Sequence, residues 1–331
     1  MFVRTEGSCL RRSHERVNTR WTAEQIPNQQ GRTAIVTGAN SGLGFIVARE
    51  LARAGAHVIV ATRDAGRGAT AISEIKAAHP AANVDLAQLD LANLASVRDF
   101  AQGFLGAGIR LDLLVNNAGV MAVPHRLTPD GFELQFGTNH LGHFALTGLL
   151  MPAFNRQPGS RVVTVSSNNH KAGQMRFDDL QGEQRYSRWG AYAQSKLSNL
   201  LFALELDRRL KAAGLPMISV AAHPGYSATN LQLNVMPRQL RFLARVANAA
   251  MAQSAEVGAL PLLYAATYPD LPGGSYVGPD GPAEMRGYPT LVQPSDRAIN
   301  VEDASRLWQI SEKLTGVRYE ELEPTASGGK S

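Results

Sequence analysis

The sequence predicts a single doubly wound α/β domain, a parallel sheet of about seven strands with helices on both faces. Three observations predict it. An apolar run, Ala34-Ile35-Val36, leads into Thr37-Gly38-Ala39-Asn40-Ser41-Gly42-Leu43-Gly44, and a helical pattern (Phe45, Val47, Ala48, Leu51, Ala52) follows at once. From residue 31 onward, short apolar runs alternate with amphipathic stretches, as parallel strands joined by helical crossovers do. The chain has 331 residues, 44% of them hydrophobic, which suffices for one large core.

The elements follow in order. Strand 33–37 runs into the glycine turn, and helix 43–54 takes its apolar stripe from the residues just named. Strand 57–62 precedes helix 65–78, strand 84–88 precedes helix 94–105, and strand 111–115 precedes a long helical stretch at 129–154. Strand 161–166, helix 187–213, strand 217–222, helix 254–267 and strand 275–277 complete the alternation. Leu307, Ile310 and Leu314 mark a terminal helix at 302–314. Three stretches interrupt the pattern. Residues 168–186 are polar and irregular, 226–250 form an apolar insertion, and 278–300, rich in Pro and Gly, are expected to wrap the surface. The domain is placed at 31–315, between a basic N-terminal extension (1–30) and a C-terminal tail (316–331).

Composition narrows the function. Cys9 is the only cysteine, which leaves no internal disulfide and no Cys-based zinc site and fits a reducing, cytoplasmic compartment. Of the formal charge of +5, most sits in residues 1–20, where five arginines face two glutamates. The remainder is nearly balanced, so no nucleic-acid footprint is expected. No apolar stretch approaches the roughly 20 residues of a membrane span, and the N-terminus lacks the apolar stretch of a secretory signal. Whether residues 1–16 belong to the native protein is left open, because Val17 is compatible with an alternative start.

The strand–turn–helix context makes the glycine motif credible as a phosphate cradle. Glycines let the backbone approach a pyrophosphate, and the helix N-terminus offers unpaired N–H groups. Tyr192 and Lys196 lie one helical turn apart, and Ser167 ends the 161–166 strand, where ligands sit in such sheets. A free tyrosine has a pKa near 10, too high for acid–base work at neutral pH, and a neighbouring ammonium is expected to lower it. Serine adds a second hydrogen bond to a substrate oxygen. Arg63, at the end of the second strand, stands where an NAD-preferring fold places a carboxylate; it favours the 2′-phosphate of NADP, the alternative being a solvent-facing arginine. His140 and His143 lack further ligands at suitable spacing, so no metal is expected. His170 is a candidate for the substrate cleft, and His223 for support of the turn at Pro224.

Thr37–Gly44, Asn116-Asn117-Ala118-Gly119, Asn139, Ser167, Tyr192 with Lys196, and His223-Pro224-Gly225 with Thr229 occur in that order. Together they resemble the classical short-chain dehydrogenase/reductase family, a Rossmann-type fold, over about residues 31–280. Thr138–Phe144, Val165-Ser166-Ser167 and the segment Asp178 to Ser187 look like its retinol-dehydrogenase-like branch. The resemblance implies that Gly38, Asn40, Ser41, Gly42, Leu43 and Gly44 bind the cofactor, with Asp90 and Leu91 beside the adenine. It further implies that Asn117, Ala118 and Gly119 pass the adenosine ribose, and that Pro224, Gly225 and Thr229 contact the nicotinamide side. By the same resemblance Tyr192 is the acid/base, Lys196 lowers its pKa and binds the nicotinamide ribose, and Asn139 anchors the water of a proton relay.

The expected function is NADP(H)-dependent interconversion of an alcohol and its aldehyde or ketone. The apolar 226–250 insertion, with Leu240, Leu243 and Val246, suggests a lid over a lipophilic small-molecule substrate; the alternatives are a dimer contact in a homo-oligomer or packing on the sheet. A non-catalytic NADP(H)-binding scaffold or redox sensor is the alternative from another class; the intact set Asn139, Ser167, Tyr192 and Lys196 counts against it. A ring double-bond reductase resembling protochlorophyllide reductase relies on an active-site cysteine, which this chain lacks.

Overall fold

The computed structural model describes residues 20–226 and 254–322. The strands are β1 (Thr33–Thr37), β2 (His57–Thr62), β3 (Asn83–Gln88), β4 (Leu113–Asn116), β5 (Arg161–Val165), β6 (Ile218–Ala222), β7 (Tyr276–Pro279) and β8 (Pro289–Leu291). They form one sheet in the order β3-β2-β1-β4-β5-β6-β7-β8. All neighbours are parallel except β7 and β8, which pair antiparallel from Val277↔Leu291 to Pro279↔Pro289. The chain winds outward in one direction from β1 to β3 and in the other from β4, so the carboxyl ends of β1 and β4 border a topological switch point. The sheet has one strand more than the sequence suggests, and it arises inside the 278–300 stretch. There the chain reverses over 280–288, with Gly287 at φ 129°, and returns along the edge.

The helices are α1 (Gly42–Arg53), α2 (Ala65–Ala78), α3 (Leu94–Gly106), α4 (Leu134–Phe136), α5 (Gly142–Leu150), α6 (Arg188–Ala212), α7 (Ala255–Thr267) and α8 (Val301–Thr315). The continuous helix expected at 129–154 is divided. Thr128–Glu133 make a turn, with the Phe132 amide donating to the Thr128 hydroxyl, and the Glu133 carboxylate accepts from the amides of Gln135 and Phe136 to start α4. A π-turn, Gly137–Leu141, then joins α4 to α5. Close packing explains its glycines. A Cβ on Gly137 would lie 2.7 Å from Thr128 Cγ2, and one on Gly142 would lie 2.3 Å from the Leu91 carbonyl oxygen.

Two layers cover the sheet. On one face Val36, Val58, Val115 and Val220 pack against α1 and α7 through Val47, Leu51, Leu262 and Leu263. On the other, Ile35, Leu114 and Val162 pack against α3, α5 and α6 through Phe104, Phe144 and Phe202. In α5 every residue but Leu149 is buried. Packing extends past residues 31–315 on both sides. Trp21 meets Tyr264 edge-on at 5.3 Å. Tyr319 packs on Phe144 and Trp308, ring centres 5.0 and 4.5 Å away, and its hydroxyl donates to the Phe144 carbonyl (2.7 Å). Among the described residues no helix is long and apolar enough to cross a membrane.

Candidate active site

The carboxyl ends of β1, β2, β4, β5 and β6 open on one cavity of about 1140 Å³. Arg63, Asp64 and Arg67 line it in common with the glycine turn, Asp90, Asn117, Ser167, Trp189, Tyr192 and Met285.

The glycine turn is built by backbone geometry. Gly38 and Gly42 have φ of 65° and 56°, in the left-handed region. A Cβ on Gly44 would lie 2.5 Å from both the Gly38 carbonyl oxygen and Asn117 Nδ2, so only glycine lets α1 come this close to the turn. Ser41 begins α1, yet its side chain caps no amide. Asp64, Asn93, Ser187, Ser254 and Asn300, by contrast, each accept from first-turn amides of α2, α3, α6, α7 and α8. The amides that open α1 therefore remain available to an acceptor in the cavity, which fits a dinucleotide pyrophosphate.

The Thr37 hydroxyl links β1 to the loop after β4. It accepts from the amides of Asn117 (2.9 Å) and Ala118 (3.0 Å), and Asn117 Nδ2 donates to the Thr37 carbonyl (2.8 Å). His143 lies beneath, with Nδ1 2.9 Å from the Asn139 carbonyl and Nε2 2.9 Å from Thr37 Oγ1. A carbonyl only accepts, so the ring hydrogen is assigned to Nδ1 and Nε2 accepts from Thr37. Burial pushes this histidine down to about 4, which keeps it neutral. His140 is likewise pushed by burial to about 3, and its Nε2 lies 2.9 Å from Ser311 Oγ. Both histidines are thereby structural, and no group of three or more metal-ligating side chains occurs among the described residues.

Tyr192 and Lys196 project from one face of α6. Lys196 Nζ sits 5.8 Å from the centre of the Tyr192 ring and donates to the Val165 carbonyl (3.1 Å). Ser167 follows β5, and its side chain lies close enough to the phenol to oppose the effect of burial on it. Burial pushes Tyr192 up to about 12, against the opposing pull of Ser167, and pushes Lys196 down to about 8. In the protein alone, loss of hydration outweighs the pull of Ser167 and leaves the phenol above its ordinary value. Asn139 is fully buried and does not line the cavity. Its Nδ2 donates to the Val120 carbonyl and Ser195 Oγ (both 2.9 Å), and Oδ1 accepts from the Val120 amide (2.8 Å), which bolts the loop after β4 to α6.

The remaining sequence candidates fall as follows. Gly38, Asn40, Ser41, Gly42, Leu43, Gly44, Arg63, Asp90, Leu91, Asn117, Ala118, Gly119, Pro224 and Gly225 all line the cavity. Arg63 is exposed at the end of β2. Thr229 lies outside the described residues, as do Leu240, Leu243 and Val246 of the insertion and Cys9. His170 is buried and does not line this cavity; its Nδ1 donates to the Ser167 carbonyl (2.7 Å), so it supports the loop. Sequence reasoning missed Arg67, Trp189, Met121, Lys171 and Met285, all of which line the cavity. Arg67 was discoverable as the residue one helical turn after Arg63. Met285 carries no local signal, because only the β7–β8 reversal brings it here.

The short chain dehydrogenase family model matches residues 32–239. Polyprenol dehydrogenase of Mus musculus is 45% identical over 300 residues, 88% of this chain and 86% of that protein. Retinol dehydrogenase 12 of Mus musculus is 41% identical over 301 residues, 90% of each. The crystal structure of an uncharacterized protein from Mycobacterium Paratuberculosis superposes with a TM-score of 0.76 at 48% identity, covering 91% of this chain and 99% of that one. The chain belongs to the short-chain dehydrogenase family, NAD(P)(H)-dependent oxidoreductases acting on CH–OH groups.

Proposed function

We propose that the enzyme interconverts a lipophilic alcohol and its aldehyde or ketone, with Tyr192 as acid/base and NADP(H) preferred to NAD(H). The observation that carries this reading is the Ser167–Tyr192–Lys196 set, which lines the same cavity as an uncapped glycine-turn helix. Residues Gly38 and Ser41–Gly44 would hold the pyrophosphate, Asn117–Gly119 and Lys196 the riboses, and Arg63 with Arg67 the 2′-phosphate. Nicotinamide, when bound, supplies or accepts the hydride.

Everything else falls to the chain. A phenol held near 12 keeps its proton at neutral pH, so Tyr192 is set to give it to a carbonyl oxygen as that oxygen gains charge. Ser167 offers the same oxygen a second hydrogen bond and fixes its position. In the reverse direction Tyr192 must act as phenolate, which the nearby Lys196 ammonium stabilises. Arg63 and Arg67 line the cavity just after β2, with Asp64 3.5 Å from Arg67, and their two guanidiniums would attract a phosphate dianion. Val120, Met121, Trp189 and Met285 give the cavity an apolar wall, and two relatives are named for the lipophilic alcohols polyprenol and retinol. The lack of cysteines other than Cys9 supports a reducing, cytoplasmic setting.

A series of aldehydes of increasing chain length, followed at the nicotinamide absorbance band with NADPH or NADH, tests the reading. Longer aldehydes should show higher kcat/KM, since each buried methylene contributes about 0.8 kcal/mol. NADPH should be preferred, and Arg63→Asp should weaken NADPH by roughly 30-fold or more while affecting NADH less. Unchanged NADPH affinity in Arg63→Asp would remove Arg63 from the phosphate site. No turnover of any aldehyde with either nucleotide would overturn the function.

A further inference from the structure

The β7–β8 loop, 280–288, does more than wrap the surface. Two consecutive non-glycine residues in it, Ala283 (φ 52°) and Glu284 (φ 55°), take left-handed backbone, which the surroundings must hold in place. They are held: Asn168 Nδ2 donates to the carbonyls of Ala283 and Glu284 (both 3.1 Å), and the Tyr226 amide donates to the Met285 carbonyl (2.7 Å). The conformation sends the Glu284 carboxylate inward between two catalytic-side loops. Oε1 accepts from Lys171 Nζ (3.0 Å), in the 3-10 turn that Ser167 begins. Oε2 lies 3.1 Å from Nε2 of the fully buried His223, a charge–dipole contact and not an aligned hydrogen bond. His223 Nδ1 accepts from the Gly225 amide (3.2 Å), so its ring hydrogen is assigned to Nε2, the atom that faces the carboxylate. A Cβ on Gly278 would fall 2.1 Å from that Nε2, so glycine there leaves room for the ring.

We propose, resting on the function given above, that Glu284 is a positioning residue. Through Lys171 and His223 it fastens the loop after β5 to the loop after β6, and so fixes the Ser167 hydroxyl relative to Pro224–Gly225 across the cavity. The role needs a carboxylate, because its charge both takes the Lys171 hydrogen bond and attracts the Nε2 hydrogen of His223. Glu284→Gln keeps the size of the side chain but removes that charge.

Hydrogen exchange on the full chain reads this link without turnover. Glu284→Gln should accelerate exchange at least about tenfold at both 168–173 and 223–226, and leave 38–44 unchanged. Lys171→Met, which cuts one arm, should accelerate 168–173 alone. Acceleration confined to 280–288, a uniform rise through the chain, or no change in either loop overturns the proposal. If Glu284→Gln does not fold, Lys171→Met decides, and no acceleration at 168–173 overturns it. In turnover, Glu284→Gln should lower kcat about tenfold with the Kd of NADPH within about twofold of wild type. A wild-type enzyme inactive on every carbonyl would sink the proposed function and leave the exchange result standing.

Discussion

At the scale of single residues, Lys196 shows chemistry taking precedence over stability. It is buried, donates to one carbonyl, and is pushed by burial down to about 8 from an ordinary lysine value. Holding such a group charged at pH 7 weakens the fold. Lys196→Met should therefore raise stability at pH 7 by roughly 2 kcal/mol while eliminating turnover and weakening the nucleotide, as thermal melts and titrations would show. Tyr192→Phe separates the roles: kcat should fall by about a thousandfold or more with NADPH affinity nearly intact, because the lost oxygen matters only in the reaction. A Tyr192→Phe enzyme with most of its rate would remove the phenol from the chemistry. The sequence displays Tyr192, Lys196, Ser167 and the glycine turn because each sits at a fixed offset from a strand or helix end. It does not display Trp189 or Glu284, whose placement depends on how separate segments meet.

At the scale of elements, the parallel strands are legible because both faces are covered. The central ones hold apolar runs such as Ala34-Ile35-Val36 or Leu113-Leu114-Val115, whereas the edge strand β3, mostly exposed, alternates with Asp85 and Gln88. β8 escapes such a reading, being three residues long, opened by Pro289 and only partly buried. The π-turn at Gly137–Leu141 escapes for another reason: the apolar pattern runs on through a widened turn as through a regular one. Helical glycines make a paired test of element packing. A side chain on Gly148 of α5 would meet Val317 Cγ1 at 2.7 Å and the Tyr319 ring at 2.8 Å, whereas Gly103 of α3 has nothing within 4 Å. Gly148→Leu should cost about 1–3 kcal/mol by overpacking. Gly103→Ala should gain about 0.5–1 kcal/mol through helix propensity. Chemical denaturation measures both, and a tolerated leucine at 148 would mean that the 316–322 segment is not seated on α5.

For the whole molecule, the buried histidines set the response to acid. Burial pushes His140 to about 3 and His143 and His223 to about 4. The unfolded chain binds protons at these positions below about pH 6.5, and the folded one does not until pH 3–4, so stability falls as pH drops through that window. Each histidine contributes on the order of 1 kcal/mol per pH unit. Melting temperature should thus decline steadily from pH 6.5 to 4.5, and a flat profile would contradict the burial of these rings. Tyr319 adds a different constraint. Its hydroxyl bonds the Phe144 carbonyl 175 positions earlier, and its ring covers Phe144 and Trp308. During synthesis the ribosome adds this residue 175 positions after Phe144. The nascent chain must therefore carry Phe144 without its Tyr319 cover over those 175 positions, and any chaperone that binds apolar surface has until residue 319 emerges to find it.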